Sequence, residues 1–228
     1  MRTFWVAACT LIAASAVVQA GAATEFAARP TARVFSRVEQ PLREYRALRR
    51  LHAYSEGQKH EAWMEAWTEL KDGHFSYDVI SESGSETIRA RVMRAVLVRE
   101  QDMVNRGEAG RADLTADNYE FTDTGRDESG ARVVQIKPRR PDVMLVDGRA
   151  VLNDSGDLLR IEGRLSKNPS FWTSLVNIVR HYARIGGIRV PVATETTAKV
   201  KFVGTAQLDV SYDYQTVNGR AVAVSERR

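Results

Sequence analysis

Hydrophobic and polar residues alternate along the last third of the chain. From Ile188 to Phe202, apolar residues occupy every second position over most of the segment, and charged or polar residues lie between them. The alternation resumes from Leu208 to Tyr214, after a turn at Val203-Gly204-Thr205. Because a period of two places successive side chains on opposite faces of a strand, the pattern predicts long antiparallel strands with one buried face and one solvated face.

Turn sequences separate further alternating segments upstream. Asp72-Gly73 and Asp147-Gly148 have the composition of tight hairpin turns, and Gly186-Gly187 ends another apolar segment. Strands joined by such turns are typical of an antiparallel sheet.

One segment breaks this pattern and has helical spacing. Ile88, Val92 and Val96 recur on one side of a helix between Glu86 and Asn105, and Gly107 follows as a helix terminator. We expect these three residues to bury one side of a single long amphipathic helix against the sheet. Strands together with this helix predict the α+β fold class and a single antiparallel domain.

The segment that follows Pro41 has two interpretations. Leu42, Tyr45, Leu48 and Leu51 recur every three residues, which favours a helix. Residues 43–56 are also compatible with an irregular strand, and periodicity alone leaves both structures open.

The N-terminus has the pattern of an export signal. Arg2 precedes an apolar run from Phe4 to Val18, about fifteen residues, which is the length of a signal peptide and short for a membrane span. The sequence therefore predicts a signal peptide at 1–22, a flexible leader at 23–33, one domain at 34–222 and a tail at 223–228. An uncleaved membrane anchor is the alternative. Cys9 resembles a lipid-attachment site, but the apolar run continues beyond it, so we assign it to that run.

We predict that the exported protein begins near Gly21 or Ala23, where small residues close the apolar run. N-terminal sequencing of protein recovered from outside the cytoplasm measures this. Recovery of the full-length chain from membranes would contradict the prediction, and a lipid on Cys9 would show that this residue was misassigned.

Composition and motifs exclude several chemistries. Cys9 is the only cysteine, so the exported chain has no thiolate for disulfides, metal binding or nucleophilic catalysis. The four histidines lack metal-site spacing, and neither a nucleophile elbow nor a phosphate loop is present. Without Arg2 the chain has 32 basic and 29 acidic residues, interspersed as on an ordinary solvated surface. We therefore expect no enzyme activity, metal, cofactor or nucleic-acid partner.

The inward face of the last strands is the candidate ligand surface. Aromatic and branched residues on the inner side of a curved sheet can line an apolar cavity, and the same residues can also fill a solid core. The predicted cavity residues are Val190, Val192, Val200, Phe202, Leu208, Val210, Tyr212 and Tyr214.

Several segments resemble a family of uncharacterised exported bacterial proteins that is grouped with the LolA-like outer-membrane lipoprotein-sorting proteins. The segments that carry the resemblance are Tyr45–Leu51, Ser81–Ser85 with Ile88–Val92, Lys137–Arg140, Arg160–Gly163 and Lys167–Trp172. The resemblance extends from about Val34 to Gly219.

The resemblance implies an unclosed antiparallel half-barrel whose concave side is plugged by helices. It also implies that residues 43–56 form a strand, a periplasmic location, and a lipid or lipoprotein acyl chain as the partner, with transient contact to the outer or inner membrane. No position matches a functional motif of the carriers, so no site residue is transferred. A non-catalytic interaction or sensor module with a filled core, similar to the stress regulator RseB, is the alternative, and a hydrolase is the third interpretation.

Overall fold

The structure, a computed structural model, describes residues 40–56, 60–171, 173–202 and 204–223. They form an antiparallel sheet with the order β3-β2-β1-β10-β9-β8-β7-β6-β5-β4, and β11 pairs with β10. The strands are β1 Tyr45–Ser55, β2 His60–Lys71, β3 His74–Gly84, β4 Tyr119–Arg126, β5 Arg132–Pro138, β6 Val146–Leu152, β7 Leu158–Leu165, β8 Thr173–Ile185, β9 Ile188–Val200, β10 Gly204–Val217 and β11 Arg220–Ala221. The predicted signal peptide, the leader and most of the tail lie outside these residues.

Most neighbouring strands are joined by short turns, as the turn sequences predict. The exception is β1, which pairs with β2 on one side and with β10 on the other. This long-range pairing places the first and last long strands side by side, third and fourth in the order. Since β3 and β4 stand at its two ends, the sheet is curved but does not close.

The α+β class predicted from the sequence is wrong. Strands account for 59% of the structure and helix for only 13%, so a sheet with a small helical addition describes the molecule better. The physical reason is number, because the described chain has eleven strands while its helical residues, 86–105 and the 3-10 turn Ala109–Ala112, all lie between β3 and β4.

The helical excursion is divided into three contiguous segments. Glu86–Ile88 and Arg94–Asn105 are α-helical, and we name them α1 and α2. Between them Arg89–Met93 forms a π-helical turn, where a single α-helix was predicted. Ile88, Val92 and Val96 are all buried. In the described part of the chain, no helix has the length and apolar character needed to cross a membrane.

The two faces of the sheet differ in chemistry. We call the face that bears Arg49, Leu51 and Val210 the inner face, because the helical segment packs over β1, β2 and β3 there. The opposite, outer face carries His52 and Asp209, which pair across β1 and β10. The buried core lies between the inner face and the helical segment.

Candidate functional site

Most residues predicted to line a cavity are buried on the sheet. Val190, Val200, Leu208, Val210, Tyr212 and Tyr214 are buried, and Val192 is partly buried against them. On β10 the buried residues alternate from Ala206 to Tyr214, as a period of two requires. The strand therefore presents one continuous inner surface.

Phe202 is the exception, and its predicted inward position is wrong. It lies in the turn between β9 and β10 with φ at +66°, and its side chain is 84% exposed. Alternation ends at Val200, where β9 ends. The position of Phe202 two residues later therefore does not indicate to which face its side chain points.

A buried ion pair joins the inner face to the helical segment. Arg49 on β1 is 0% exposed and donates from Nη1 to Glu100 Oε2 at 2.5 Å and from Nη2 to Glu100 Oε1 at 2.9 Å. Its Nη2 also donates to the Tyr45 hydroxyl at 2.7 Å. This bidentate geometry fixes α2 on β1, because the planar guanidinium can donate two parallel hydrogen bonds to a carboxylate in only a few orientations.

Aromatic rings enclose the arginine. Its guanidinium carbon lies 5.1 Å from the Phe75 ring centroid and 4.7 Å from that of Tyr212, which are cation–π distances. Burial, the largest single influence, lowers the pKa of Arg49, but the Glu100 carboxylate together with Tyr45 and Tyr212 raises it well above its usual value. Arg49 is therefore a permanent charge inside the core.

Sequence reasoning missed this pair. A usable signal was present, because Arg49 has the same parity as the apolar Leu51 and therefore points to the buried face if the segment is a strand. Its partner Glu100 is 51 residues away, so no local pattern indicates the pairing.

Three tyrosines lie beside this ion pair in the core, namely Tyr45, Tyr212 and Tyr214. The Tyr214 hydroxyl donates to the Pro191 carbonyl at 2.9 Å, and the Tyr214 ring stacks on Tyr212 and meets Tyr45 edge-on. Burial raises the pKa values of both Tyr212 and Tyr214, so these hydroxyls remain neutral hydrogen-bond donors. The inner surface is thus apolar with a narrow polar line, and it can bind an amphiphilic ligand if the helical segment moves.

A second, open surface lies on the outer face. A groove of 660 Å³ crosses β3, β2, β1, β10 and β9, and its floor includes Trp63 stacked on His52 with ring centroids 5.1 Å apart. His52 contacts Glu61 at 2.6 Å. Burial, followed by the nearby Glu195, raises the pKa of Asp209, and His52 opposes this rise. Trp63 is 44% exposed, so the groove presents an aromatic ring on which a planar group of a ligand can stack.

Among the described residues, no group of three or more His, Cys, Asp or Glu side chains could hold a metal ion.

Comparison with solved structures finds distant likeness. A scan of protein-family models finds no match to the chain, and a search of the curated proteins also finds none. The fold is similar to the crystal structure of a DUF1329 family protein from Desulfovibrio piger, with 12% sequence identity and a TM-score of 0.37. The match covers 75% of this chain and 84% of that one. At this TM-score the likeness decides neither the fold family nor the function.

Proposed function

We propose that the protein is an exported, non-catalytic carrier that binds a lipid or lipoprotein acyl chain between the inner face and the helical segment. The observation that carries the proposal is the Arg49–Glu100 pair, which fastens a short helical cover over an apolar sheet surface. The periplasmic location expected from the sequence belongs to the same proposal.

A buried ion pair by itself contributes little to the stability of a protein. Removing two charges from water costs about as much as their attraction returns, and hydrophobic replacements of buried pairs are often as stable or more stable. Such a pair does fix one arrangement of the elements that it joins. When the cover opens, Glu100 leaves with α2 and Arg49 stays on the inner face, where the anionic head group of an amphiphile can take the place of the carboxylate. These properties suit a cover that must close in one position and still open.

The energy of a bound acyl chain is sufficient to drive opening. Burial contributes roughly 0.8 kcal/mol per methylene, so a chain of about fourteen methylenes gains on the order of 10 kcal/mol. The helical segment that it would displace is short and contains the π-helical turn Arg89–Met93, a feature that is frequent at functional sites. The contacts of its seven buried apolar side chains would be replaced by contacts with the ligand; these residues are Ile88, Val92, Met93, Val96, Leu97, Met103 and Val104.

We expect the purified protein to bind a fluorescent fatty acid and to release it when acylated peptide is added. Val210→Trp should weaken probe binding about tenfold or more, because the added ring occupies inner-face volume. Fluorescence titration measures this. Ser211→Trp is the matched control, since Ser211 follows Val210 on the strand, is exposed and should leave the affinity unchanged. Thermal melts of both variants confirm that each is folded.

Absence of probe binding by the wild-type protein would overturn the carrier proposal. The outer groove with exposed Trp63 would then favour the second candidate, a non-catalytic interaction or sensor module with a filled core. Trp63→Ala should leave fatty-acid affinity unchanged if the carrier proposal is correct.

A further inference from the structure

Two exposed phenylalanines lie together at one end of the sheet. Phe171 precedes β8 and is 79% exposed, and Phe202 lies in the β9–β10 turn and is more exposed still. The two loops are neighbours, because Val200 pairs with Thr173 on one side and with Gly204 on the other. The Lys201 ammonium is 4.0 Å from the Phe171 ring centroid, which joins the loops directly. We call this region the aromatic end.

Basic residues surround the aromatic end. A groove of 380 Å³ beside the β7–β8 loop is lined by four basic residues and one acidic residue, Asp147. The basic residues are Lys137, Arg139, Arg140 and Arg164. The same groove includes Asn168 and Ser174, which flank Phe171 in the chain. Lys167, Lys199 and Lys201 are also exposed nearby in sequence.

The opposite end of the sheet differs in its apolar content. Its described turns include Asp72-Gly73, residues 127–130, residues 153–157 and Gly186-Gly187. None of these turns has a large apolar side chain, and their acidic residues are accompanied by arginines, since Arg126 pairs with Asp154 and Arg184 pairs with Asp157. The two ends therefore differ in the exposed aromatic rings of their described turns rather than in net charge.

We propose that the aromatic end docks on the surface of an anionic phospholipid bilayer. Phe171 and Phe202 enter the boundary between head groups and acyl chains, where aromatic rings are favourable. The lysines and the basic groove lie at head-group level and attract anionic lipids, while their aliphatic stems lie along the apolar layer. Since the described turns at the far end carry no aromatic ring, the aromatic end faces the membrane and the strands point away from it.

A bilayer fits this surface better than a protein partner does. The exposed rings lie in two neighbouring loops close to the strand ends, and a fluid interface accepts exposed rings without a matching cavity. Arg139 and Arg140 of the groove pair with Glu120 and Asp142, so the charges that face an anionic surface are those of the exposed basic residues Lys137, Arg164, Lys167, Lys199 and Lys201. This docking goes beyond acyl-chain binding, since it concerns a different end of the molecule and requires no opening of the helical cover.

Vesicle co-sedimentation of the exported chain tests the docking. We expect binding to vesicles of phosphatidylcholine mixed with phosphatidylglycerol to exceed binding to pure phosphatidylcholine vesicles by about tenfold or more, and to weaken with added salt. The double variant Phe171→Ser/Phe202→Ser should lower binding to the anionic vesicles by about tenfold or more. Lys199→Glu/Lys201→Glu should have a similar effect.

Two exposed residues away from the aromatic end give matched controls. Ile80→Ser removes an exposed apolar side chain from β3, and Lys71→Glu reverses a charge at the opposite end of the sheet. Both should bind the anionic vesicles within about twofold of the wild-type protein. Equal binding of neutral and anionic vesicles, no vesicle binding at all, or equal losses in the controls and the test variants would each overturn the proposal. If only the carrier proposal is wrong, the fatty-acid titration without vesicles shows no binding, while binding to the anionic vesicles remains.

Discussion

Glu100→Leu is expected to lower the free energy of unfolding by about 3–5 kcal/mol, one of the two largest effects that the structure predicts. The substitution leaves Arg49 inside the core with a permanent charge and without its bidentate acceptor. The two aromatic rings beside the guanidinium recover only part of this loss. Urea unfolding followed by circular dichroism measures the change.

The double variant Arg49→Met/Glu100→Leu separates a buried charge from a general loss of packing. Since it removes the charges of this pair and keeps apolar volume, most of the lost stability should return, and the remaining difference measures the effect of Glu100 on Arg180, whose pKa Glu100 also raises. The outer-face pair Arg50–Glu65 is the control, because both side chains are substantially exposed and Arg50→Met should cost less than about 1 kcal/mol. A loss below about 1 kcal/mol in Glu100→Leu would show that the pair does not hold the helical segment in place.

The strand part of the fold follows from local patterns. Alternation and turn composition place β8, β9 and β10 because each is long and has one solvated face. The first strand was ambiguous for a physical reason. Its buried positions include two alanines and Arg49, while Leu48 lies on the other face. Small and charged residues at buried positions hide the period of two, and the leucines leave an accidental period near three.

The candidate site depends on contacts that the local sequence does not contain. Arg49 and Glu100 meet only after β1 and α2 pack, so no pattern within either element pairs them. The aromatic end also requires the topology, because Phe171 and Phe202 are adjacent only through strand pairing. Phe202 was misplaced since alternation was extended one step into a turn, where its positive φ reverses the direction of the chain.

Val92→Asp is expected to destabilise the protein by several kcal/mol, comparable to the cost of burying a charge without a partner. Val92 lies in the π-helical turn and is buried, so an aspartate there must either remain neutral or force the turn away from the sheet. Thermal and urea unfolding measure the loss.

Val98→Asp is the matched control, because Val98 belongs to α2 but is 42% exposed. Its substitution should change the free energy of unfolding by less than about 0.5 kcal/mol.

The comparison also bears on function, since a cover that opens without global unfolding predicts a further result. Val92→Asp protein that remains folded should hold the cover open and show raised hydrogen exchange in residues 86–105, with the β8–β10 amides still protected. If those strands lost protection to the same degree, the helical segment would be part of one cooperative core, and a cover that opens by itself would be excluded.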